Sequence, residues 1–115
     1  MTVPVLELNH VAIHVKDLAA SQHFYGDVLG LPLLPRPDFN FPGAWYAFGR
    51  QELHLIEETA LAETDRHNHH FALLVEDTYA VRAELEKRGF TQFDSHGLRP
   101  DGAVQLFFAT QTGTA

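Results

Sequence analysis

The 115-residue chain predicts an α+β fold of two tandem βαβββ modules, on three observations. The stretch "NHVAIHVKD" (residues 9–17) returns as "HHFALLVED" (69–77) at a constant offset of 60, so His10 and His70, Ala12 and Ala72, Val15 and Val75, and Asp17 and Asp77 correspond. In each copy a strand-like alternation gives way to a helical pattern at the aspartate. In the first copy, short apolar runs separated by Pro and Gly then supply further strands, and the second copy follows the same plan. The boundaries are module one at 5–58, a polar linker at 59–68 ending in "TDRHN", and module two at 69–115, together one domain.

The strands come first. Val11, Ile13 and Val15 alternate with His10, Ala12 and His14, as Phe71, Leu73 and Val75 alternate with His70, Ala72 and Leu74. Because successive strand side chains point to opposite faces, one face of each strand is apolar and the aligned histidines lie on the other. The helices follow. Asp17 and Asp77 are suited to N-caps and Gly30 and Gly89 to the C′ position, while Lys87 and Arg88 complement the dipole at the end of the second helix. Leu18, Phe24, Val28 and Leu29 form one packing stripe, Val81 and Leu85 the other, so the apolar strand faces are expected to meet helices.

Beyond Gly30, "LPLLPRPDF" reads as a proline-interrupted edge strand, followed by "AWYAFG" and "QELHLIEE", with turns at Pro42-Gly43 and Gly49. Leu53 and Leu55 alternate with Glu52, His54 and Ile56, which sets His54 opposite the apolar face. Module two is expected to continue through a strand "FTQFD", a loop over Gly97 and "RPDG", and a strand "AVQLFFA". His54 lies 44 residues after His10, and the same interval after His70 reaches Thr114, so the last strand of module two is expected to be missing or truncated.

Composition narrows the function classes. A net charge of −7, with no basic run, argues against nucleic acid and anionic membranes as partners. No stretch approaches a membrane span, and "MTVPVLELNH" lacks the regions of a signal peptide, which points to a cytoplasmic location. With no cysteine, thiolate metal sites, disulfides and cysteine nucleophiles are excluded, so any metal is held by nitrogen and oxygen. There is no GxSxG, no phosphate-cradling glycine loop and no HExxH.

The two modules, each opening on a His-bearing strand, and "SQHFYGDVLGLPL" in the first helix, resemble the vicinal oxygen chelate superfamily, which includes glyoxalases, extradiol dioxygenases, fosfomycin-resistance enzymes and bleomycin-binding proteins. The resemblance implies that the modules curl into a cup-shaped mixed sheet with helices outside, often completed by a second subunit, with a divalent metal inside. Carried over residue by residue, it implies His10, His54 and His70 as metal ligands. The family's fourth ligand, a glutamate after an Asp-Pro-Asp-Gly-like turn, has no match, because Gly113 falls at that turn. Neutral imidazoles suit Zn, Fe, Ni, Mn or Co, and three protein ligands with open positions mark a reactive site.

Around this set, His14 shares the face of His10 and either touches substrate or sits at the cleft mouth without a role; Trp45 and Gln105 are the other candidate pocket residues. Phe39 and Phe41 line an aromatic pocket or simply pack beside the proline turn. Arg36 and Arg99 grip a carboxylate or are solvated. Glu52, Glu57 and Glu58 read as a solvated edge, and His67 and His69 as capping, solvated or supporting residues of the loop before His70. The functional expectation is a protein that uses a divalent ion as Lewis acid on a small oxygen-chelating molecule, by lyase, isomerase, dioxygenase or transferase chemistry. The alternatives are a non-enzymatic small-molecule binder of the resistance type and a degenerate family member. An uncovered strand edge predicts a homodimer.

Overall fold

The structure, a computed structural model, describes residues 3–60, 70–110 and 113–114. The linker beyond residue 60 and the loop histidines His67 and His69 lie outside the described residues. Module one forms as its sequence directs. Strand β1 (His10–Val15) leads into helix α1 (Leu18–Gln22), continued as a π-helical segment over His23–Val28, and then strands β2 (Leu33–Leu34), β3 (Gly43–Phe48) and β4 (Gln51–Glu57). They make one mixed sheet in the order β1-β4-β3-β2, with β1 parallel to β4 and the other pairs antiparallel.

The termini of the first helical stretch show why it starts and stops where it does. Asp17, in an extended conformation, accepts a hydrogen bond from Ala20 N, and Glu57 reaches across from β4 to accept from Leu18 N at 3.0 Å. Two otherwise orphaned helix donors are thereby satisfied. The π segment, closed by Leu29 N bonding to Phe24 O, buries the adjacent Phe24 and Tyr25 together with Val28. Gly30 ends it at φ +75°, where a side chain would be strained.

The core lies between this helix and the apolar face of the sheet. Val15, Phe24, Tyr25, Val28, Ala44, Tyr46, Leu53 and Leu55 are buried there, and Leu85 joins them from helix α2 (Thr78–Lys87). Burial, and secondarily the negative charge of Asp27, raises the Tyr46 phenol pKa above its ordinary value. Helix α2 repeats the plan of the first: Asp77 caps it by accepting from Tyr79 N and Ala80 N, Lys87 sits in its last turn, and Gly89 follows at φ +93°. Arg88 ties the modules together, donating from Nη1 to Val28 O at 2.8 Å.

Module two departs from expectation in three places. Residues 70–75, expected to mirror β1, pair with no strand among the described residues: Phe71 stacks on Phe48 at 6.2 Å, while Leu73, Leu74 and Val75 are exposed. "FTQFD" is not a strand either. Phe90 and Phe93 both enter a cluster with Phe108, and two residues three apart reach the same side only if the chain is not extended. Conversely, Gly97 lies in strand β5 (Ser95–Leu98), not in a loop. The turn at Arg99–Ala103, with Gly102 at φ +93°, folds β5 back on β6 (Val104–Phe107) as an antiparallel hairpin. Strands β7 (Ala109–Thr110) and β8 (Gly113–Thr114) pair antiparallel as a second small two-stranded unit. The architecture is α+β with a mixed sheet, complete in module one and divided in module two. Among the described residues no helix is long and apolar enough to cross a membrane.

Candidate functional site

The sheet face turned away from the core carries the chemistry. In the parallel register of β1 and β4, His10 lies opposite Glu52 and Ala12 opposite His54; across the antiparallel pair, Trp45 lies opposite His54. Leu53, Leu55, Ala44 and Tyr46 alternate with these residues and occupy the core side, so strand periodicity alone delivers His10, Glu52, His54 and Trp45 to one face.

His54 sits in the middle of a stack of rings. Its ring lies 4.0 Å from that of Trp45 at an interplanar angle of 6° and 4.2 Å from that of His10 at 17°. The side chain is 12 % exposed, and Nε2 meets Glu52 Oε1 at 2.9 Å. His10 is exposed and its Nδ1 meets Asn9 Oδ1 at 2.7 Å. With protons on Nδ1 of His10 and Nε2 of His54, these oxygens accept, and Nε2 of His10 and Nδ1 of His54 keep their lone pairs. Two imidazoles and a carboxylate are donor types that suit a divalent ion. The two stacked rings, however, run nearly parallel, so their in-plane lone pairs do not meet at one point; loading an ion requires the exposed His10 ring to turn.

The other residues singled out in the sequence are distributed more widely. His70 is exposed and its ring neighbour is Phe107, edge-on at 6.2 Å, so within one chain it does not join His10 and His54. Gln105 pairs with Gly97 on β6, on the same side of that strand as Phe107. His14 pairs through Nδ1 with Glu58 Oε2 at 2.8 Å. Arg99 is bound to Asp101 in the hairpin turn. Among the described residues no three His, Asp or Glu side chains are gathered into a metal-holding group.

Sequence reasoning left three working residues at the margin. Glu52 is the partner of His54, Asn9 orients His10, and Glu57 caps α1. For Glu52 the signal was present, since it shares the parity of His54; for Asn9, adjacent to His10, periodicity carries none.

The fold and this histidine-bearing face define a class. The sequence model of the Glyoxalase/Bleomycin resistance protein/Dioxygenase superfamily matches residues 7–115, and the chain belongs to that superfamily. A relative from Synechocystis sp. described as "Probable lactoylglutathione lyase" is 35% identical over 110 residues, covering 88% of this chain and 84% of its own. Among solved structures, a glyoxalase family protein from Bacillus anthracis superposes with a TM-score of 0.80 at 24% identity, covering 99% of this chain and 93% of its own. A lactoylglutathione lyase from Agrobacterium tumefaciens gives 0.76 at 20% identity, covering 97% and 91%. Both structural likenesses speak to the fold.

Proposed function

We propose that the protein is a metal-dependent enzyme acting on a small molecule that presents two neighbouring oxygens, with His10 and His54 as the ligands from module one and His70 as the third. The observation that carries this reading is the juxtaposition of His10 and His54, with Glu52 hydrogen-bonded to His54, on the face of β1 and β4 turned away from the core. A bound divalent ion supplies Lewis-acid polarisation of a substrate oxygen. The chain's own residues orient the ligands: Asn9 and Glu52 fix the tautomers, and Trp45 holds the plane of His54. Membership of the superfamily and the lyase relative support the reading, and isomerase or lyase chemistry is the form favoured by that relative.

Closure of the site calls for a second copy. Strand β1 is an edge of its sheet, and the apolar segment 71–75 pairs with no strand among the described residues. A homodimer that lays 70–75 along β1 covers both and carries His70 toward the module-one histidines. A second reading, small-molecule binding without chemistry, is favoured by the parallel His10–His54 stack, which is not yet a ligand geometry.

Metal titration separates the two. The parent protein is expected to bind a divalent ion, and His54→Ala and His70→Ala each to weaken it by about tenfold or more while His14→Ala does not. Equal affinity of His54→Ala and the parent by calorimetry would remove the proposed ligand set and leave the binding-protein reading.

A further inference from the structure

We propose that the row of rings from Phe41 through Phe39, Trp45 and His54 to His10 is a platform for a flat, anionic aromatic molecule, with Arg36 supplying the positive charge at its far end. This deepens the reading above, on which it rests for the position of the reacting oxygens, by naming the chemical class of the substrate body.

Three observations converge on the platform. First, the rings are continuous: Phe39 and Phe41 stack at 5.3 Å and 19°, Phe39 lies 6.0 Å from Trp45, and Trp45 covers His54. Second, the outer rings are open to solvent, Phe39 at 41% and Phe41 at 39% exposure, although large apolar side chains gain by burial. Third, the charge beside them is uncompensated. Arg50, Arg88 and Arg99 each pair with a carboxylate, whereas Arg36, like Arg82 on the other module, has no carboxylate partner among the described residues of a chain of net charge −7. Its guanidinium carbon lies 4.9 Å and 5.0 Å from the Phe39 and Phe41 ring centroids. Nη2 donates to Phe41 O at 2.9 Å, and Nε is shielded from water with no hydrogen-bond partner among the described residues.

A cation held by two aromatic faces and one carbonyl keeps most of its hydrogen-bonding capacity for an anion, and a guanidinium matches a carboxylate in two-point contact. Stacked rings present their edges to a ligand that lies along the row, and edge-to-face contact selects for a planar π-system over an aliphatic body of the same size. A ligand that lies along the row with its acid group toward Arg36 directs its opposite end toward His54 and His10.

The test uses naphthoate, with cyclohexanecarboxylate (same charge, no π-system) and naphthylmethanol (same rings, no charge) as comparators, in the presence of a chelator so that no ion takes part. Trp45 is the single tryptophan, so its indole N–H is one resonance by which binding at the row is seen. Naphthoate is expected to shift that resonance and, by calorimetry, to bind about tenfold more tightly than either comparator. Phe39→Leu, which keeps apolar bulk and removes the ring, is expected to weaken naphthoate about fivefold, and Arg36→Gln to abolish the advantage over naphthylmethanol. Comparable affinity for cyclohexanecarboxylate, an unmoved Trp45 resonance, or an indifferent Phe39→Leu would each overturn the proposal. Failure of the metal reading shows up separately, in the ion affinity of His54→Ala, and leaves the naphthoate result standing.

Discussion

The two modules open with corresponding sequences, and one opening segment joins a four-stranded sheet while the other joins no strand among the described residues. In module one, β1 lies alongside the seven-residue β4 over its whole length. In module two the corresponding segment, 70–75, joins no strand among the described residues, and β8, at the position that corresponds to β4, pairs with β7 instead. The helices show no such divergence, since Asp17 and Asp77 both cap and Gly30 and Gly89 both adopt positive φ. A helix satisfies its backbone within itself, so local signals suffice; a strand needs a partner, and no local signal provides one.

The largest expected effect comes from adding one methyl group to each module. At Gly43 in β3 a Cβ would collide with the Leu55 backbone oxygen of β4 and stand 2.9 Å from Arg36 Nη2, so the central strand pair would have to part. Gly43→Ala is expected to cost about 2–3 kcal/mol, read as a lower urea midpoint. At Gly97 in β5 nothing lies within 4 Å of the added atom, and Gly97→Ala is expected to change stability by less than about 0.5 kcal/mol. If both substitutions prove equally harmful, the contrast between a packed and an open module fails.

An intermediate effect is expected where the modules meet. Arg88 donates from Nη1 to the Val28 carbonyl at the end of the π segment and from Nε to Glu84 on its own helix. The Glu84 pair is partly exposed and contributes little, whereas the Val28 carbonyl is one of the acceptors a helix end leaves open. Arg88→Ala is therefore expected to cost about 1 kcal/mol, and Glu84→Ala less than half of that. Hydrogen exchange should show α2 losing protection in Arg88→Ala while β3 and β4 keep theirs.

What was legible in the sequence follows the same physical division. Periodicity placed Leu53 and Leu55 in the core and His54 on the other face, and the capping residues located both helices, because these depend on neighbours in the chain. The stack of His54 between Trp45 and His10 depends on the register of three strands, which no single segment specifies. The hairpin at Gly97 was hidden for a related reason: a glycine in a polar stretch reads as a loop until the turn that follows pairs it. For His70, correspondence with His10 carried the expectation, but the segment 70–75 joins no strand among the described residues, and the His70 ring lies against Phe107.

The smallest expected effect isolates how module two holds its hairpin. In the β5–β6 turn, Arg99 donates from Nε to Asp101 Oδ1 at 2.7 Å, and Ala103 N donates to the same oxygen at 3.2 Å. The Arg99 hydrogen bond, reinforced by that from Ala103, lowers the Asp101 carboxyl from its ordinary value to about 2. A depressed carboxylate contributes stability above its unfolded pKa and loses it as pH falls through the folded value, so the turn should loosen between about pH 4 and pH 2. Both side chains are exposed to solvent, which makes the contribution small and sensitive to salt. The Ala103 amide resonance is expected to titrate with a midpoint near 2 in the parent, and nearer the ordinary aspartate value, about 4, in Arg99→Gln. An unchanged midpoint in Arg99→Gln would shift the cause to the backbone amide of Ala103, and module two would then owe its hairpin to turn geometry, not to the ion pair.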